Sequence, residues 1–182
     1  KVLPIVKSEK KMDINGDEQE KKIITLISND SKEFKVDSKN LIDNSSLIKT
    51  IIGINDDDDD DDEEISYESI PLANVTSINL EKIIEFLQNY TDDPFEKIEK
   101  PLRSDKLEDV INKKWSIDFL KKFNQEELFE ITLAANYMGI VSLVELTCAY
   151  IASMIKGKTP KEIIKQFNID DDFTNEDKKQ MG

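Results

Sequence analysis

The side chains that most often carry catalysis are thin on the ground in this chain of 182 residues. It has no histidine, so the commonest general base, the usual base of a catalytic triad and the commonest zinc ligand are all missing. Its single cysteine, Cys148, allows no intramolecular disulfide and no cysteine-based zinc site, and suits a reducing compartment. Five glycines are spread without a phosphate-binding loop, and there is no GxSxG elbow. Carboxylates are abundant, 39 Asp and Glu against 25 Lys and Arg, but nine of them stand in the unbroken run Asp56–Glu64. Read as a calcium loop from Asp56, that run has Asp61 where glycine is needed at the sixth position and Tyr67 where a bidentate Glu is needed at the twelfth. Its like charges repel, and the expectation is a solvated, mobile loop over 55–66. Paired-carboxylate catalysis needs two such groups at fixed separation in a cleft, which these runs do not offer. No catalytic residue, metal site or cofactor is expected.

A net charge of −14 with no basic, aromatic-interleaved stripe excludes a nucleic-acid backbone as partner. No apolar run approaches the roughly eighteen residues of a spanning helix, and Val2–Val6 is interrupted by Pro4. The reading is a soluble chain, cytoplasmic or nuclear, with no membrane association. What remains is chemistry of contact, and it concentrates where the helix signals do, from Asn124 to Phe173.

Three helices are expected there. The first runs from about Gln125 to Met138, with Asn124 as N-cap, Glu127 closing a capping box and Gly139 as a left-handed stop. The second, about Val141 to Lys156, carries Leu143, Val144, Thr147, Ile151 and Met154 at spacings of three and four and ends at Lys156-Gly157-Lys158. The third opens on Thr159-Pro160-Lys161-Glu162, where Thr159 caps, Pro160 needs no N–H and Glu162 closes the box. Ile163, Ile164 and Phe167 give it an apolar face, but at under three turns it is too short to stand alone in water and must lean on something.

Upstream, Lys1–Lys22 has the composition of a flexible leader, and a chain beginning on Lys1 reads as trimmed. Ile23–Ser28 and Glu33–Asp37 around Asn29-Asp30 form a hairpin signature. One helical segment is expected from about Ser38 to Gly53, on Leu41, Ile42, Leu47, Ile48, Ile51 and Ile52. Ser69-Ile70-Pro71-Leu72 reads as a short edge strand, since Pro71 cannot donate to a ladder. Thr76 or Ser77 caps a helix through about Tyr90 with Leu80, Ile83, Ile84 and Leu87 inward, ended by Asp92-Asp93-Pro94. Residues 95–114 read as a long variable connection, and Trp115–Leu120 as a short helix returning to the core. Strands first and helices later make a single α+β domain.

Several runs resemble one family closely. They are AANY at Ala134–Tyr137, MIKGKTP at Met154–Pro160, and FNI followed by DFT between Phe167 and Thr174. Ile70-Pro71-Leu72, Asn74-Val75, Trp115 and Phe119-Leu120 extend the likeness, which covers about Ile23 to the end. The chain resembles the S-phase-kinase-associated adaptors of SCF ubiquitin ligases, the Skp family. That resemblance implies a BTB/POZ fold over 23–139 and a helical, F-box-binding and dimerisation region over 140–182. It implies a non-catalytic adaptor that bridges a cullin to F-box substrate receptors. Asn136 and Tyr137 would contact the cullin, and Phe129, Val144, Ile151, Ile163, Phe167, Ile169 and Phe173 the F-box. Phe167, Ile169 and Phe173 are expected to be the most exposed without a partner, a patch open to F-box binding or to homodimer formation. By likeness to protist members, Pro160 is a candidate for hydroxylation and glycosylation. Thr132 stands where relatives carry a larger aliphatic residue, and relatives continue past the position of Gly182 into a segment with a Trp that helps clasp the F-box. Receptor affinity would suffer in a chain that ended there. Two rival readings are an elongin-C-like adaptor, which lacks the MIKGKTP and FNI tail, and a homo-oligomerising BTB scaffold.

Overall fold

The computed structural model describes residues 22–53 and 69–169. The leader through residue 21, the acidic run Asp56–Glu64 and Phe173 lie outside the described residues.

A strand with two neighbours lies at the base of the fold. β1 (Ile23–Ser28) pairs antiparallel with β2 (Glu33–Asp37), with Leu26 opposite Phe34, and parallel with β3 (Ile70–Leu72), with Leu26 opposite Ile70. The order β2-β1-β3 leaves β3 on an edge, where Pro71 breaks no ladder. Alternation buries Ile24, Leu26 and Ser28 on one face of β1. The β1–β2 turn is tightened by Ser31 at φ 63° and by Ser28, whose hydroxyl donates to the Lys32 carbonyl at 3.2 Å and accepts from the Lys32 N–H at 3.1 Å.

The segment read as one helix is two, α1 (Ser38–Asn44) and α2 (Ser46–Ile51). Ser45 between them is extended, at φ −121° and ψ 111°, and its side chain accepts from the Ile48 N–H to cap α2. Apolar periodicity runs through this break without registering it, because the residues on both sides face the same core. Gly53, at φ +74°, follows α2 as expected.

α3 (Ser77–Asp92) buries Leu80, Ile83, Phe86 and Leu87, while Ile84 is half-buried; Thr76 is its N-cap. Ser77 has a different role: its N–H and hydroxyl donate to the two carboxylate oxygens of Asp30, at 2.8 and 2.6 Å, and pin the hairpin turn to the helix start. The stretch 95–114 is irregular apart from a single 3-10 turn at Leu107–Asp109, yet it is no mere connection. Phe95, Ile98, Leu107 and Ile111 are buried, and Phe95 joins Phe86, Tyr90, Trp115 and Phe119 in an aromatic cluster with centroids 5.0–6.4 Å apart. Irregular backbone gives such residues no period by which to be recognised. α4 (Lys114–Leu120) returns to the core as expected, with the Trp115 indole N–H donating to the Asp93 carbonyl at 2.9 Å. α5 (Gln125–Tyr137), α6 (Val141–Ile155) and α7 (Pro160–Phe167) complete an α+β architecture in which α5 packs on both α3 and α6. No described helix is long and apolar enough to cross a membrane.

Candidate functional site: two surfaces on the C-terminal helices

α5 begins with the full capping box: Asn124 accepts from the Glu127 N–H at 2.9 Å, and the Glu127 carboxylate accepts from the Asn124 N–H at 2.8 Å. It turns Leu128, Ile131, Ala134 and Ala135 inward, a spacing that fills one helical face. Phe129 and Leu133, four residues apart and therefore neighbours on the opposite face, are 43% and 70% exposed. Thr132 satisfies its hydroxyl on the Leu128 carbonyl at 2.6 Å. The helix ends in a Schellman-type turn, with the Ile140 N–H on the Ala135 carbonyl at 2.9 Å and Gly139 at φ +66°. Asn136 is exposed and Tyr137 half-buried at this end, so the structure presents both candidate residues of the first surface side by side.

α6 has two faces of different use. Leu143, Leu146, Thr147, Ala149 and Ser153 are buried, and the Thr147 hydroxyl donates to the Leu143 carbonyl at 3.0 Å. Val141, Val144, Cys148, Ile151 and Ile155 fall at spacings of three and four on the other side and are exposed or half-buried. Val141 is 66% exposed and Ile155 37%. Val144 and Ile151 are among the residues that the family resemblance implies for the F-box, whereas Leu133, Val141 and Ile155 are not. The same periodicity finds them, since Leu133 follows Phe129 by four, Val141 precedes Val144 by three and Ile155 follows Ile151 by four.

Among the described helices α7 is the most completely specified and the least covered. Thr159 and Glu162 form both halves of its capping box, Pro160 occupies the first turn, and Asn168 closes it in the left-handed conformation at φ 49°. The Thr159 N–H and hydroxyl both donate to the Glu162 carboxylate at 2.8 Å and hold its pKa below the ordinary carboxylate value. No residue of α7 is buried. Ile163, Ile164 and Phe167 are half-buried, and the Phe167 ring lies 6.0 Å from that of Phe129, tilted by 55°. Phe167 is therefore less exposed than expected, because it leans on Phe129, while Ile169 is 51% exposed as expected. Phe129 and Leu133 on α5, the outer side of α6 and the leaning α7 all leave apolar side chains partly open to water, too many for a finished core.

Among the described residues no cluster of His, Cys, Asp and Glu could hold a metal ion. Among the described residues the carboxyl of Asp30 is brought down to about 2, chiefly by the hydrogen bonds from Ser77, and it serves the hairpin.

Two sequence-family matches bear on these surfaces. The description "Skp1 family, tetramerisation domain" fits residues 22–92, and "Skp1 family, dimerisation domain" fits residues 141–181. The first makes the strand-and-helix part a POZ-type domain, followed by the C-terminal helices. A Skp1-related protein of Caenorhabditis elegans is 38% identical over 161 residues, 87% of this chain and 86% of that protein. An S-phase kinase-associated protein 1 homolog of Tetrahymena thermophila is 39% identical over 87% of this chain and 89% of its own length. A fungal relative from Neosartorya fischeri, the E3 ubiquitin ligase complex SCF subunit sconC, is 37% identical over 87% of this chain and 92% of its own. With identity at this level across nearly the full length of each relative, and with both family domains in order along it, the chain belongs to the Skp1 family.

Proposed function

We propose that this chain is the adaptor subunit of an SCF-type ubiquitin ligase, joining a cullin scaffold to F-box substrate receptors and catalysing nothing itself. The observation that carries the reading is α7, fully capped at its start yet without one buried residue, leaning on Phe129 at the edge of an apolar face. A helix of eight residues gains little stability alone, so its side chains are best accounted for by a partner that completes their burial. In this reading Phe129, Leu133, Val144, Ile151, Ile155, Ile163, Phe167 and Ile169 receive the F-box, with Phe173 continuing the same series. Each aliphatic or aromatic side chain fully withdrawn from water would contribute about 1.5–3 kcal/mol of transfer free energy.

Asn136 and Tyr137 meet the cullin at the far end of α5. A tyrosine half out of the surface supplies a large apolar ring with a hydroxyl to orient it. Pro160 is exposed at a helix start, where hydroxylation would remove no hydrogen bond. The adaptor would work in the cytosol or nucleus, a reducing setting that a single cysteine suits.

Replacing Asn136 and Tyr137 together by Lys tests the division of surfaces. Cullin pull-down is lost and F-box pull-down persists; loss of both, or of neither, refutes the assignment. A second reading, a homodimer through the same face when no receptor is bound, is favoured by the exposed Leu133 and Ile155 and by the family description of residues 141–181. Sedimentation would then show a dimer that an F-box domain dissociates.

A further inference from the structure

The break between α1 and α2 carries a contact that a simple helix start does not require. The Ser45 hydroxyl, in a residue only 1% exposed, donates to the Met138 carbonyl at 2.5 Å, 93 residues along the chain. The next two residues continue the contact through the backbone: the Ser46 N–H donates to the Gly139 carbonyl at 3.4 Å and the Leu47 N–H to the Met138 carbonyl at 3.3 Å. Consecutive donors at the start of α2 thus satisfy carbonyls just past the end of α5. The approach is close, for a Cβ on Gly139 would stand 1.9 Å from the Ser46 Oγ.

Capping alone accounts for the bond that Ser45 accepts from the Ile48 N–H, but not for the one it donates to Met138, which does nothing for α2. That donation acts on α5. A helix end held only by its own turn frays, whereas this one is tied from outside at the residue that follows Asn136 and Tyr137 directly in sequence. We infer that Ser45 is a positioning residue for the Asn136–Tyr137 surface: without touching the partner, its hydroxyl fixes the orientation in which the end of α5 meets a cullin. The inference rests on the assignment of Asn136 and Tyr137 to the cullin.

The test uses the full chain with a purified cullin N-terminal domain and, separately, an F-box domain as probes. Ser45→Ala is expected to weaken cullin binding about five- to tenfold, the loss of roughly one buried hydrogen bond. F-box affinity changes by less than twofold. The amide resonances of Asn136 and Tyr137 shift while those of Ile163 to Phe167 stay in place, and Ser45→Thr, which keeps the hydroxyl, restores cullin binding. If Ser45→Ala does not fold, Ser45→Cys replaces it, its thiol being a weaker donor at the same place, with the same readouts. Unchanged cullin affinity in a folded variant overturns the inference, as does an equal fall in both affinities, which would mean a role in stability alone. Asn136 and Tyr137 changed together to Lys provide the control. If that protein still binds cullin, the assignment of the surface fails and the inference with it; if it does not bind, a null result at Ser45 removes the inference only.

Discussion

The rings of Phe129 on α5 and Phe167 on α7 lie 6.0 Å apart at 55°, the one aromatic contact between α7 and the rest of the described chain. It joins two residues 38 positions apart in sequence that are both partly open to water, and it explains how a helix too short for independence keeps its place. An aromatic pair of this kind is worth about 0.5–1.5 kcal/mol beyond its buried area.

Removing that contact should loosen α7 and leave the body intact. In Phe129→Ala, hydrogen exchange at the amides of Ile163–Phe167 is expected to rise by about fivefold, consistent with roughly 1 kcal/mol of local stability, while the amides of α5 and α6 keep their protection. Retained protection in α7 would show that Ile163 and Ile164 hold the helix without the ring pair.

Gly139 is required twice over, by its backbone and by its neighbour. Alanine at φ +66° costs about 1–2 kcal/mol, and its Cβ would also collide with the Ser46 Oγ 1.9 Å away. Urea denaturation of Gly139→Ala should therefore show a loss greater than 1 kcal/mol. Adding Ser46→Ala removes the hydroxyl from the collision and should recover part of the loss. Strictly additive effects would mean that the hydroxyl rotates away unaided.

Acid sensitivity should centre on Asp30. Its carboxyl titrates near 2 in the folded chain against 3.8 without its partners, because the Ser77 and Ser28 hydroxyls and the Ser77 N–H favour the charged form. Between those values the unfolded chain binds more protons than the folded one, so stability rises with pH through this window. The contribution is complete above about pH 4 and disappears as pH falls toward 2. Asp30→Asn should flatten the dependence of the unfolding midpoint on pH between 2 and 4 and leave the slope above pH 5 unchanged. An unaltered acid limb would assign the dependence to other carboxylates.

Much of this protein was legible along the chain. Caps, glycine stops and the proline at the start of α7 act within one helical turn, so Asn124–Glu127, Gly139 and Thr159–Glu162 could be read without knowing what lies across the fold. The hairpin and the edge position of Pro71 follow from alternation and a missing N–H for the same reason. Absence of histidine, with one cysteine, narrows the available chemistry by composition alone.

Tertiary structure decided what local rules cannot reach. Ser45, extended in backbone, divides one apolar period into two helices, and its hydroxyl donates a hydrogen bond to the Met138 carbonyl, 93 residues on. Phe95, Ile98, Leu107 and Ile111 enter the core from irregular backbone, which has no period to reveal them. Phe129 and Phe167 shelter each other in part, and Leu133, Val141 and Ile155 are left facing water; periodicity identifies the side of a helix on which such residues lie, but only the packing of α5, α6 and α7 determines which side is covered. Local hydrogen bonding is encoded by neighbours in sequence, and burial by neighbours in space.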